Sequence, residues 1–192
     1  MNDFAFYFNL GYKHILSLDA LDHLLFIIAL AAIYLVHNWK QILILVTAFT
    51  IGHSVTLILS TYNIISVNGK WIEFVIPLTI VITALSNFFI KDYFLKSFNY
   101  NYFLAAGFGL IHGMGFATII RFMLAKNQSI ALPLFSFNVG LEIGQVIVVA
   151  LILLVSYIVV DIAGLPRKWW VWGLSSIALL TAAKLCINRY PS

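Results

Sequence analysis

Six runs of mostly apolar residues, each close to twenty long, leave this chain few folds to choose from. They lie at about 19–36, 39–60, 70–90, 101–124, 132–160 and 169–187. A helix needs about 20 such residues to cross the hydrocarbon of a bilayer, whereas a barrel strand shows about 10 of alternating character. Polar turns at His37–Lys40, Thr61–Lys70, Lys91–Asn101, Lys126–Ser129 and Asp161–Lys168 separate the runs. The expected fold is therefore all-α: a polytopic membrane protein of six transmembrane helices, a single domain over 1–192. Residues 1–17, with Phe4, Phe6, Tyr7, Phe8 and Tyr12, read as an interfacial segment, because aromatic bodies suit the headgroup boundary. Pro77 should kink the third span, and Pro133 fits a first helical turn.

Composition excludes the soluble classes. Only 9% of the residues are charged and 62% are hydrophobic, against roughly 25% charged in a soluble domain. The net charge of +4 does not point to nucleic acid, since the cations are scattered over short loops as headgroup anchors. With Cys186 as its one cysteine, the chain has no intrachain disulfide and no cysteine metal cluster. The start, Met1-Asn-Asp-Phe-Ala-Phe6, lacks the cationic stretch of a cleavable signal peptide. Lys13, Lys70, Arg121, Lys126 and Arg189 fall on the side of the termini, and Lys40, Lys91, Lys96, Arg167 and Lys168 on the other. That balance sets no orientation. No feature of the sequence sets an oligomeric state.

Ionisable groups inside a bilayer are costly and mark ion paths, relays or ligand sites. The stretch His14–Phe26 carries His14, Asp19, Asp22 and His23 at the mouth of the first span. The second span holds His53 beside Ser54, the third Glu73 near its start, and the fourth His112. The fifth holds Asn138, Glu142 and Gln145 at i, i+4 and i+7, on one helix face. At about 1.5 Å per residue, all of these lie in the half of the bilayer nearer the termini. One polar pocket open to that side would require such a distribution. Gly109 and Gly113 bracket His112, and Gly140 and Gly144 bracket Glu142, spacings that let helix backbones approach closely.

Three histidines with two carboxylates suit a divalent transition metal, since imidazole suits nickel, copper, zinc or iron and carboxylates compensate charge. His23, His53 and His112 would be neutral ligands, with Asp22 or Glu142 supplying negative charge. His14 is a further candidate, though a continuous helix would carry it almost two turns from Asp22. Asp19, four residues before His23, would accept a hydrogen bond from that ligand. Ser54, Asn138, Gln145 and Glu73 would line the pocket or gate it. Transport of the ion is the leading function. The alternative is a membrane-embedded metal-dependent hydrolase with Glu142 as general base, and a third reading is an accessory subunit whose polar groups bond only one another. Phosphate loops, nucleotide fingerprints and H-E-x-x-H or G-x-S-x-G motifs are absent from the sequence. Equal spacings of His23 to His53 and His112 to Glu142 do not mark an inverted repeat, because an inverted copy of His23 would sit at the opposite face.

Four stretches carry a resemblance. They are Gly11-Tyr-Lys-His14 with Asp22-His23-Leu-Leu-Phe26, Phe49-Thr-Ile-Gly-His-Ser-Val-Thr-Leu57, Gly109-Leu-Ile-His-Gly-Met-Gly-Phe-Ala117 and Phe137-Asn-Val-Gly-Leu-Glu-Ile-Gly-Gln145. In this order they resemble the HupE/UreJ family, small bacterial membrane proteins associated with nickel or cobalt uptake for hydrogenase and urease. The resemblance implies a multi-pass protein of the bacterial inner membrane whose partners are a metal ion and lipid. It implies that His14, Asp22 and His23 form the family's His-then-Asp-His signature, with His53, His112 and Glu142 completing the path. The separation Ile15–Leu21 is longer than the family's nickel permeases carry.

Overall fold

The computed structural model describes residues 3–17, 20–65, 67–90, 98–123 and 130–191. These residues form seven α-helices and, among them, no strand: α1 (Asp3–Leu16), α2 (Leu21–Ala31), α3 (Trp39–Thr61), α4 (Gly69–Phe89), α5 (Phe98–Met123), α6 (Ala131–Ser156) and α7 (Arg167–Asn188). A π-helical turn, Tyr157–Ile162, extends α6. Four helical segments are long and apolar enough to cross a membrane: Val36–Thr61, Gly69–Phe89, Ala131–Ile162 and Arg167–Asn188. Large apolar side chains such as Phe89, Phe103, Leu180 and Ile187 stand exposed on the outside. This is the surface of a protein solvated by lipid.

The helices α3 to α7 follow the later apolar runs to within a few residues, but for the run expected to span at 101–124 the apolar helix among the described residues is the shorter Tyr102–Phe116. Pro133 sits in the first turn of α6 as expected. Pro77 lies inside α4, which runs through it as one helix. Asn68 caps α4 by accepting from the Lys70 backbone N–H at 3.0 Å.

The N-terminal third differs from the expectation. Within the stretch expected as an interfacial segment, α1 packs along α6, with Tyr7, Gly11 and Ile15 buried. The first span expected at 19–36 is an eleven-residue helix, α2, at 63° to α1. The two helices count as one crossing only if taken as a single broken span, which would bring the candidates to five.

Glycines explain how α1 is held. Gly11 lies against the Phe137 carbonyl and Leu141 nitrogen of α6, and Gly140 against the Phe8 carbonyl and Tyr12 nitrogen of α1. The same contact recurs between α3 and α5: Gly52 meets the Ala106 carbonyl and Gly109 the Phe49 carbonyl. Each glycine follows, by three residues, the carbonyl on its own helix that meets the partner's glycine. One turn on, Gly144 meets Tyr12 and Ile15, while Gly113 meets His53 and Thr56. In both sets the contacts advance together along the two helices, so each pair is parallel. The repeat in this chain is thus one of backbone contact, written as Phe8-Asn-Leu-Gly11, Phe49-Thr-Ile-Gly52 and Phe137-Asn-Val-Gly140. It does not follow the spacing of the histidines.

Two polar side chains tie α2 to the other half of the bundle. The Asn87 amide of α4 donates to the Ala29 carbonyl at 2.8 Å and to the Ser175 hydroxyl of α7 at 3.0 Å. Arg167 donates to the Ile33 carbonyl, just beyond the end of α2. Interhelical hydrogen bonds in lipid average about 0.6 kcal/mol and reach about 1.7 kcal/mol. Asn87→Leu should therefore lower stability by about 1–2 kcal/mol in a detergent unfolding titration. Ser175→Ala, which spares the bond to Ala29, should cost less than half of that.

Candidate functional site

Four helices each contribute one imidazole to a cluster in which three rings surround a fourth. His23 of α2 is the hub: its ring centre stands 4.7 Å from that of His14, 5.2 Å from His112 and 5.8 Å from His53. The glycine contacts set this up. Gly52 precedes His53, Gly109 and Gly113 bracket His112, and Gly11 is one turn before His14, so closest backbone approach falls beside the imidazoles. The bend between α1 and α2 does the rest. It turns His14 back toward His23, where a straight helix would have carried it away.

Phenylalanines wall the cluster. Phe49 stacks on Phe26 and lies 5.1 Å from the His112 ring; Phe116 stacks on Phe137 and lies 4.3 Å from the His14 ring. Sequence reasoning did not single these rings out, although the spacing of three of them carries a signal. Phe26 follows His23 by three residues, Phe116 follows His112 by four and Phe49 precedes His53 by four, spacings that share a helix face. His14 also lines, with Lys13, Ser17 and Phe116, a cleft of about 570 Å³, which gives the cluster an open side.

The hydrogen bonding of the rings is incomplete. His112 Nδ1 lies 2.8 Å from the Phe108 carbonyl; since a carbonyl only accepts, Nδ1 carries the proton and Nε2 presents a lone pair. That Nε2, both ring nitrogens of His53, and Nε2 of His14 and His23 are buried without a hydrogen-bond partner. A buried unsatisfied polar atom costs about 1–3 kcal/mol. Packing alone gives no reason to gather five of them in one cluster of rings. Yet among the described residues no three His, Cys, Asp or Glu side chains are disposed around one point as a metal's ligands would be.

The carboxylates are placed differently. Asp22 Oδ2 accepts from Arg189 Nη1 at 2.8 Å, while Asp22 Oδ1 is buried without a partner. Arg189 enters the site from the C-terminal end of α7, and as a loop cation in the sequence it gave no sign of this. Glu142 Oε1 accepts from the Thr47 hydroxyl at 2.7 Å, and Gln145 Oε1 from the Thr50 hydroxyl at 2.8 Å. These two bonds form a polar seam between α6 and α3, the helix that carries His53. Asn138 donates to the Leu134 carbonyl and Ser54 to the Thr50 carbonyl. Asn138 and Ser54 share the lining of a separate cavity of about 370 Å³. Glu73 is exposed near the start of α4, and His37 is exposed in its turn. Asp19 lies outside the described residues.

No curated protein and no solved structure matches the chain. A family model does: the one described as HupE / UreJ protein matches residues 1–189, nearly the whole length. With that match over its apolar helices and over every histidine of the cluster, the chain belongs to the HupE/UreJ family.

Proposed function

We propose that this protein binds a divalent transition-metal ion, nickel or cobalt, at the imidazole cluster and carries it across the membrane. The observation that carries the reading is the convergence of His14, His23, His53 and His112 with ring nitrogens that bond to nothing in the protein. Distances support it. With metal–nitrogen bonds of about 2.0–2.1 Å, ring centres of two ligands on one tetrahedral ion stand roughly 5 Å apart. The three separations from His23, 4.7, 5.2 and 5.8 Å, bracket that value. An ion shared by His23 and its neighbours would need the rings to rotate about χ2 so that their nitrogens turn inward. His112 is preset for this by its bond to Phe108, the kind of outer hydrogen bond that fixes the tautomer of a metal-binding histidine.

The break between α1 and α2 supports transport in particular. Secondary transporters build their ion sites where a membrane helix is interrupted, and His14 and His23 flank this one. Apolar walls of Phe26, Phe49, Phe116 and Phe137 would strip water from the ion. Its charge would then be balanced by Asp22, the carboxylate next to the hub histidine. The hydrolase alternative needs Glu142 beside the ion as a base. Its carboxylate is engaged by Thr47 instead, so that reading is not favoured.

The test is elemental analysis of purified protein followed by nickel and cobalt uptake into proteoliposomes. Stoichiometric metal and time-dependent uptake are expected. Protein that takes up no nickel or cobalt at micromolar concentration would overturn the binding reading; tight binding without flux would overturn transport.

A further inference from the structure

We propose that Arg189 is a tethered counter-cation, occupying Asp22 in the empty protein and displaced from it by the incoming metal ion. The inference rests on the reading of the imidazole cluster as a metal site. It adds a regulator of that site contributed by a helix outside the cluster.

The geometry of the ion pair is the starting point. Arg189 Nη1 meets a single carboxylate oxygen, Oδ2, while Oδ1 stays buried and unpartnered. An arginine serving only to fasten α7 to α2 would be expected to engage both oxygens, the strong and geometrically specific arrangement. Here half of the carboxylate is kept back. The exposures of the two partners differ as well: the Asp22 side chain is 14% exposed and that of Arg189 is 30% exposed. The guanidinium can therefore swing toward water while the carboxylate stays. Arg189 caps the C-terminal end of α7, where its N–H bonds to Leu185 and Ile187. A helix end is the part of an element that opens at least cost.

Charge explains why the cargo would drive that swing. Asp22 precedes His23, the ring that touches the other three imidazoles. With Arg189 in place, the empty site is four imidazoles and a neutralised carboxylate. A dication entering it meets a positive charge on Asp22, the carboxylate next to the hub histidine in sequence. Arg189 on Oδ2 and a dication on Oδ1 would repel each other across one carboxylate, in a site walled by phenylalanine where charges are poorly screened. Once Arg189 leaves, Asp22 still has the first turn of α2 beneath it, and the positive end of that helix holds its negative charge. On release of the ion, Arg189 returns and keeps Asp22 from standing alone. A monovalent group on the protein thus alternates with the divalent cargo, which makes both loading and unloading possible at one carboxylate.

The experiment is nickel titration by calorimetry of the full chain in detergent, as wild type, Arg189→Gln and Arg189→Lys, with hydrogen exchange of the 185–191 backbone followed in parallel. Removing the competitor should tighten nickel binding about tenfold in Arg189→Gln, with Arg189→Lys close to wild type. Nickel should speed exchange of the 185–191 segment in wild type and leave it unchanged in Asp22→Asn. Equal or weaker nickel binding by folded Arg189→Gln, with wild type binding normally, would overturn the latch and leave the metal site standing. So would wild-type exchange that nickel slows or does not alter, a readout that needs no Arg189 variant to fold. If neither protein binds nickel or cobalt, the metal site itself fails and the latch falls with it.

Discussion

Purified His53→Ala/His112→Ala protein is expected to hold no stoichiometric metal and to bind nickel at least about a thousandfold more weakly than wild type. The size follows from what each ring contributes. Loss of a mere outer hydrogen bond to a metal ligand typically costs about 10–100-fold in affinity, and here two direct donors are removed. The sign of the stability change separates a ligand role from a packing role. Both rings are almost fully buried, at 0% and 1% exposure, so truncation leaves a cavity beside Phe49 and Phe137. Truncation also deletes three buried unsatisfied nitrogens, His53 Nδ1 and Nε2 and His112 Nε2, each costing about 1–3 kcal/mol in the empty protein. The two effects offset, and the empty variant should melt close to empty wild type. With nickel added they should part: wild type rises in melting temperature as the ion binds the folded state, and the variant does not. His37→Ala, in an exposed turn, should behave as wild type in both measurements. A double variant that keeps its metal and its nickel-dependent rise would remove the imidazole cluster from the function.

How far the sequence foretold this arrangement depends on what holds each residue. The later apolar runs became helices within a few residues of their expected bounds, because lipid demands length and apolarity and little else. The break after α1 was not legible. No proline or glycine lies between Leu16 and Leu21, and the usual signals of interruption are missing. That break decides the place of His14, which a continuous helix would have set aside. The face shared by Asn138, Glu142 and Gln145 was read from periodicity, but periodicity does not name the neighbour. Glu142 and Gln145 turned out to meet Thr47 and Thr50. Arg189 reaches Asp22 across 167 positions of sequence, and nothing local to either residue announces such a contact. Phe26, Phe49 and Phe116 stand one helical turn from a histidine of their own helix, whereas Phe137 lies on a helix without one, and nothing local marks it as a wall.

Glycine substitutions test the scaffold that makes the site, with a reversal of sign as the diagnostic. In an exposed helix interior, Gly→Ala is favourable by about 0.8–1.0 kcal/mol, since alanine is the better helix former. Gly107 has open space where a Cβ would stand, so Gly107→Ala should stabilise the protein within that range. Gly109 is only two residues away, but its Cβ would meet the Phe49 carbonyl and the His53 nitrogen. Those are backbone atoms, and no rotamer change can clear them. Gly109→Ala should therefore force α3 and α5 apart, forfeiting contacts all along the pair. A cost above about 4 kcal/mol, in the range reserved for serious disruption, is expected, and Gly109→Leu should yield no folded protein on size-exclusion chromatography. The metal site should fail in step, because His53 follows Gly52 and His112 lies between Gly109 and Gly113, on the two backbones being separated. Gly140→Ala should act in the same way on α1 and α6, whose parallel contact is the equivalent one. There it should withdraw His14 and spare the contact between α3 and α5, weakening nickel binding less than Gly109→Ala does. Equal effects of Gly107→Ala and Gly109→Ala on melting temperature and nickel affinity would mean that close backbone approach does not position the cluster.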